Sequence, residues 1–279
     1  MRGEFVDLAG SRLYYYAAGT RGTGEPVVFL HGFPASSHLW QGVVRDLCER
    51  APGHRLVVLD QLGFGRSDRP GGAALTADAH AGRVRALMDD LGIDAACLVG
   101  HAMGGAVAQA VACAFPGRVT RLCLVNSTAF DVWPWRAARL ARWICAAAPL
   151  GRSLGAPLLA GLVHGSLLSA YAVPDNGRRS LDHYLHAYTS RLGVEALVAQ
   201  LRAMHDPSVK ALGERLAGIR QPTAIVWGRL DPFLDVSLGE RIRDAIPGAT
   251  LEVIPGARHF SPEDAPDLVA GLIGELLTR

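Results

Sequence analysis

Val99-Gly100-His101-Ala102-Met103-Gly104-Gly105 is the stretch on which the reading of this chain turns. It follows the apolar run Ala95 to Val99 and opens a second apolar run of helical length, so it reads as a strand bending sharply into a helix. Glycine stands two residues before and two after the central position. That spacing suits a strained turn in which a side chain at either flanking site would collide with the neighbouring strand or helix. The pattern is that of a nucleophile elbow, except that residue 102 is alanine. A dinucleotide-binding turn would need glycine at 102 and an acidic residue about 20 positions further on. Gly63-Phe64-Gly65-Arg66-Ser67-Asp68 fails the same test, and no Gly-Lys-Ser/Thr phosphate loop occurs.

Three segments further out point to the same chemistry. His31-Gly32-Phe33-Pro34 follows the buried strand Val27 to Leu30 and suits a loop that aims a backbone N–H into a site. A tetrahedral oxyanion is best held by two such donors, and the residue after the nucleophile supplies the second, so the N–H groups of Phe33 and Met103 are the candidates. Gly228-Arg229-Leu230-Asp231-Pro232 places a carboxylate beyond the strand Thr223 to Trp227. Pro255-Gly256-Ala257-Arg258-His259-Phe260 places a histidine past the last strand. Taken singly, Asp231 has a lesser reading as a helix cap and His259 as a loop histidine. Together with position 102 they fall in the order nucleophile, acid, histidine, which differs from the chymotrypsin and subtilisin orders. His38 is the best of the remaining histidines for lining a pocket. Most of His54, His80, His164, His183, His186 and His205 are expected on the surface or in the cap described below, and His101 beneath the elbow.

The 279 residues are 49% hydrophobic and 19% charged with a net charge of +2, which suits one large core carrying an insertion. That balance argues against disorder and against nucleic acid as a partner. The five cysteines, Cys48, Cys97, Cys113, Cys123 and Cys145, show no metal-ligand spacing and read as free buried thiols; no metal is expected. MRGEFVDLAG has no apolar signal region, so a cytoplasmic protein is expected. Residues 153–174 carry no formal charge and approach membrane-spanning length. Gly155, Pro157, Gly161, Gly165, Pro174 and His164 interrupt them, so the stretch reads as a soft apolar lid with no stable membrane insertion.

Period and punctuation predict a hairpin over 4–17 turning at Ala9-Gly10, then strands at 26–30, 55–59, 95–99, 119–125, 223–227 and 250–254. Helices are predicted near 39–50, 76–91, 103–114, 236–245 and 262–277. Such alternation implies a mostly parallel sheet covered on both faces. It fails between 127 and 212, a segment rich in Ala, Leu and Arg that reads as a helical cap, leaving 1–126 and 213–279 as the core. Of its aromatic residues, Trp133, Trp135, Trp143 and Tyr184 are candidates for contact with a substrate in the cleft between cap and core.

With these residues in place the chain resembles the α/β-hydrolase superfamily over nearly its whole length. The resemblance rests on His31 to Pro34, the Asp60-Gln61-Leu62-Gly63-Phe64-Gly65-Arg66-Ser67-Asp68 loop, Gly100 to Gly105, Asp231 and His259. It implies an eight-stranded sheet with a cap after the sixth strand. It also implies cofactor-independent acyl-enzyme chemistry, with His259 as general base and Asp231 orienting it. The apolar cap suggests a hydrophobic, fairly bulky small-molecule ester, lactone or related carbonyl. C–C bond hydrolysis and acyl transfer use the same constellation.

Alanine cannot act as nucleophile. Because the surroundings suit catalysis and alanine is the smallest truncation of serine, the residue reads as a deliberate Ser→Ala substitution. A natural alanine would leave a cyclase, a lyase or a ligand-binding protein. An aspartate nucleophile, as in epoxide hydrolases and haloalkane dehalogenases, fits less well: Met103 stands where those relatives carry Trp or Arg, and Phe33 where many dehalogenases carry a halide-binding Asn.

Overall fold

The protein was analysed as a computed structural model, which describes residues 3–20, 22, 24–130, 161, 163–188, 191–203 and 207–279. Eight strands form one sheet: β1 (Gly3–Leu8), β2 (Ser11–Gly19), β3 (Val27–Leu30), β4 (Arg55–Leu59), β5 (Ala96–His101), β6 (Val119–Val125), β7 (Thr223–Gly228) and β8 (Thr250–Ile254). Their order is β1-β2-β4-β3-β5-β6-β7-β8. The β1–β2 and β2–β4 pairs are antiparallel and all others parallel. The hairpin turns at Ala9 and Gly10, both at positive φ (54° and 79°), which matches the twist of the flanking strands. The mostly parallel α/β-hydrolase sheet expected from the sequence is therefore present.

Successive strand residues face opposite sides of the sheet, and each side has its own core. Phe29, Val99 and Val125 join a cluster with Val43 and Leu47 of α1 (Gln41–Arg50) and Val269 and Ile273 of α9 (Pro266–Leu277). Val28, Leu98 and Leu124 point the other way. They pack with Val84 and Leu87 of α2 (Ala77–Asp90) and with Val107 and Val111 of α3 (Met103–Ala114). The central strands β3 and β5 are buried at every residue, as continuous apolar runs in a doubly covered parallel sheet should be.

Two element ends differ from the sequence reading for local reasons. The expected helix at 39–50 begins as a short 3₁₀ turn, Ser37–Trp40, because the Ser36 hydroxyl accepts from the His38 N–H and starts it early. The expected helix at 262–277 is two, α8 (Ser261–Asp264) and α9. Pro266 holds the preceding Ala265 out of the helical region, at φ −145° and ψ 61°. Between β6 and β7 lie α4 (Pro174–His186), α5 (Arg191–Ala203), α6 (Pro207–Arg215) and a helical turn over 163–168; α7 (Val236–Ala245) follows β7.

Trp133, Trp135, Trp143, Cys145 and His205 lie outside the described residues, as do residues 153–160 and 162 of the 153–174 stretch. Among the described residues no helix is long and apolar enough to cross a membrane. Cys97 and Cys123 are buried, Cys48 and Cys113 half-buried, and all four are free thiols. His80 is an exception to the surface or cap placement expected for most of these histidines. Its place on α2 beside Ala77, Ala81 and Val84 puts it on the inward stripe, and burial drives its pKa down to about 3.

Candidate active site

Ala102 caps α3 with φ 49° and ψ −117°, a conformation that costs a non-glycine residue about 1–3 kcal/mol. The glycines around it are required by contact. A Cβ on Gly100 would lie 2.4 Å from the Gly104 carbonyl oxygen, one on Gly104 2.3 Å from that of Leu30, and one on Gly105 2.0 Å from Ser127 Oγ. Likewise, a Cβ on Gly32 would lie 2.7 Å from Ala102 Cβ. The loop after β3 therefore runs directly against the turn after β5. Phe33 follows Gly32 and Met103 follows Ala102, so the two candidate oxyanion donors flank one contact.

The β3 loop is braced from below. His31 is buried, its Nδ1–H donates to the Gly32 carbonyl (2.9 Å), and its Nε2 accepts from the Gln61 N–H (3.1 Å). Asp60 accepts from the Ser37 N–H (2.6 Å) and the Arg66 N–H (2.8 Å), tying the loop to the segment 60–68. Gly65, at φ 51°, allows this approach: a Cβ there would meet Asp60 Oδ2 at 2.1 Å.

Asp231 and His259 form the charged centre. The Asp231 carboxylate is fully buried and takes four donors. Oδ1 accepts the N–H groups of Phe233 (2.8 Å) and Leu234 (3.0 Å), while Oδ2 accepts Asn126 Nδ2 (2.7 Å) and His259 Nδ1 (2.8 Å). Burial alone would raise its pKa, but the neighbouring imidazole and the N–H donors outweigh it and hold the carboxyl below its ordinary value. With Nδ1 donating to Asp231, the lone pair of His259 lies on Nε2. The loop carrying Asp231 is pinned by Trp227, whose buried indole N–H donates to the Leu234 carbonyl (2.9 Å). Gly228 lets that loop meet the histidine loop, since a Cβ would lie 2.1 Å from the Arg258 carbonyl oxygen.

His101, next to the turn, donates from Nε2 to the His259 carbonyl (2.9 Å), and its ring lies 4.9 Å from that of His259. Burial, with His259 nearby, lowers its pKa to about 3 and keeps it neutral. The expectation that it packs beneath the turn holds.

In the sequence Asn126 stands only as the residue directly after the strand 119–125. The structure gives it a larger part: Nδ2 donates to Asp231, while Oδ1 accepts from the Gly228 N–H (3.2 Å) and from Ser261 Oγ (2.8 Å). It sits at φ 42°, a region that asparagine tolerates better than most residues. Glu263, unmarked in the sequence, accepts hydroxyl donors from Tyr171, Ser180 and Tyr184.

His38 and Tyr184 come together. Their rings meet edge to face at 5.8 Å, and His38 stacks on His183 at 4.4 Å. They line a cavity of about 620 Å³ with Tyr14, Asp60 and Arg66, so its wall is largely polar. Burial, with His183 adjacent, lowers the His38 pKa to about 4. Among the described residues no group of three or more His, Cys, Asp or Glu side chains could hold a metal ion.

The model of the alpha/beta hydrolase fold family matches residues 25–266. Haloalkane dehalogenase 2 of Mycobacterium tuberculosis is 29% identical over 98% of this chain and 93% of its own length. A cis-3-alkyl-4-alkyloxetan-2-one decarboxylase of Shewanella oneidensis is 28% identical over 99% of this chain and 88% of its own. Among solved structures, an alpha/beta hydrolase fold protein from Burkholderia ambifaria superposes with a TM-score of 0.84 at 27% identity, covering 98% of this chain and 99% of that one. The sheet order, the strained turn and the extent of these matches agree, and the chain belongs to the alpha/beta hydrolase fold family.

Proposed function

We propose that this protein is the scaffold of a Ser-His-Asp hydrolase for an ester, lactone or related carbonyl of a small molecule, silenced by alanine at position 102. The observation that carries this reading is the turn itself. Ala102 holds a costly backbone conformation from which its own methyl group draws no benefit, beside a fully hydrogen-bonded Asp231–His259 pair. Such strain is expected where a side chain must be presented to a substrate.

In the active form a serine hydroxyl at 102 attacks the carbonyl carbon as His259 Nε2 takes its proton. Asp231 holds the imidazole tautomer and stabilises its positive charge, and the N–H groups of Phe33 and Met103 take the oxyanion. The protonated His259 then gives its proton to the leaving oxygen. Water, deprotonated by the same histidine, releases the acyl group. No cofactor takes part. Helices α4 to α6 serve as the cap over the cleft, with Tyr184 and His38 in its wall and Trp133, Trp135 and Trp143 as further candidates. The relatives' names divide, since a haloalkane has no carbonyl group and an oxetan-2-one is a four-membered lactone, so the carbonyl substrate is inferred from this chain's own residues.

The reading is tested by exposing Ala102→Ser to a fluorophosphonate ester. A single covalent adduct on residue 102, absent from the Ala102 chain, is expected; a correctly folded variant that takes no label would overturn it. A second reading follows from the alanine itself. The Asp231–His259 pair is complete without a nucleophile and suits proton transfer or ligand binding alone. It predicts ligand affinity that is independent of serine at 102.

A further inference from the structure

Glu263 stands four residues after His259, on the short helix α8, and is half-buried, with its carboxylate enclosed by three hydroxyls. Every side-chain donor recorded for it comes from the segment between β6 and β7. The Tyr171 hydroxyl donates to Oε2 at 2.7 Å, and Ser180 Oγ and the Tyr184 hydroxyl donate to Oε1 at 2.7 Å and 3.0 Å. Among the described residues no ion-pair partner faces it. Burial pushes its pKa up to about 6 against the pull of those three hydroxyls.

Neighbouring contacts run the same way. Asp264 Oδ1 accepts the Ala172 N–H (2.9 Å) and its Oδ2 the Arg258 N–H (2.9 Å). Arg258 Nη1 donates to the Ser169 carbonyl (2.7 Å), the Phe260 N–H to the Ala170 carbonyl (3.3 Å), and the Tyr171 ring stacks on Phe260 at 4.4 Å. The loop that carries His259 is thus the platform on which this segment docks. Ser261 on the same turn reaches Asn126, and Asn126 reaches Asp231. On the other side, α4 carries Tyr184 and His183, which form the wall of the 620 Å³ cavity opposite His38.

We propose that Glu263 is a positioning residue whose carboxylate latches α4 onto the His259 loop and so sets the wall of the 620 Å³ cavity. Ser180 and Tyr184, one turn apart on α4, and Tyr171, three residues before it, converge on one carboxylate and fix how α4 sits, because removing the acceptor leaves all three hydroxyls without that partner. Identifying the cavity as the substrate's rests on the hydrolase reading; the latch does not.

Two measurements separate these claims. Amide hydrogen exchange is compared in the parent chain, Glu263→Ala and Glu263→Gln. Exchange over 174–186 is expected to rise about tenfold or more in Glu263→Ala, with β5 and α3 unchanged. Glu263→Gln should stay near the parent, because its amide oxygen keeps Ser180 and Tyr184. If Glu263→Ala does not fold, Tyr171→Phe combined with Ser180→Ala removes two donors at little change in packing and must give the same local rise. Unchanged exchange over 174–186, or an equal rise throughout the core, would overturn the latch. In the Ala102→Ser background, Glu263→Ala should raise KM for a bulky p-nitrophenyl ester about tenfold while kcat changes less than about threefold. A fall in kcat at constant KM would overturn its role in the cavity wall. Absence of turnover in Ala102→Ser alone would count against the hydrolase reading and leave the exchange result to decide the latch.

Discussion

Asp231 and Glu263 are both buried carboxylates with several donors, yet their protonation is pushed in opposite directions. Asp231 receives two backbone N–H groups, a side-chain amide and an imidazole, all from the core and its loops, and its pKa falls. Glu263 receives neutral hydroxyls carried by the segment between β6 and β7, and its pKa rises to about 6. A fixed backbone dipole or a chargeable partner can replace the hydration of an anion; hydroxyls on a separate segment do so less well. The first site is built to keep a charge in place and the second to hold two parts of the molecule together.

Removing the charged centre should therefore do the most damage. Asp231→Ala leaves His259, Asn126 and two N–H groups facing a void, and unfolding in urea should show a loss of about 3–5 kcal/mol. In the Ala102→Ser background the same change should lower kcat about 10⁴-fold, since the imidazole tautomer is no longer held. A loss no greater than that of Glu263→Ala would erase the contrast between the two carboxylates.

Acid comes next, and the two sites respond with opposite sign. His80 and His101 are buried neutral with pKa values near 3. As pH falls below their ordinary value the unfolded chain takes up protons that the folded one refuses, so stability drops from about pH 6.5 downward. Between pH 7 and pH 5 each should cost about 2 kcal/mol. Glu263 opposes them: its raised pKa means the folded state binds the proton first, and stability is gained as pH falls from about 6 toward its ordinary value. Urea midpoints at pH 7 and pH 5 should show a net loss, and Glu263→Gln should make that loss larger by about 1 kcal/mol.

Smaller effects sharpen the comparison further. Asn126→Ala strips one donor from Asp231 and leaves the Gly228 N–H unpaired, which should cost about 2 kcal/mol in thermal or urea unfolding. Tyr184→Phe removes one hydroxyl of three from Glu263 and should cost about 1 kcal/mol by the same measurement.

The core of this account was legible in the chain because its signals are local. Glycines two apart from residue 102 mark a turn that no other residue fits, and Asp231 and His259 each follow a strand of readable apolar pattern. What was hidden depends on contacts remote in sequence. Asn126 meets Asp231 across 105 positions, and Glu263 meets Tyr184 across 79, so neither could be told from a loop amide or an acidic residue in a first helical turn. His80 is hidden for a different reason: histidine is exposed more often than fully buried, and only its packing on the inward face of α2 shows otherwise. Residues 131–160 of the segment expected to close over the cleft, with Trp133, Trp135 and Trp143, lie outside the described residues.

The most direct test of the account is turnover of p-nitrophenyl esters and lactones by the Ala102 chain and by Ala102→Ser under the same conditions. A working oxyanion site and Asp231–His259 pair should yield a gain of at least about a thousandfold when the hydroxyl is restored. No gain in a variant with unchanged folding would contradict the claim that this site was shaped around a serine.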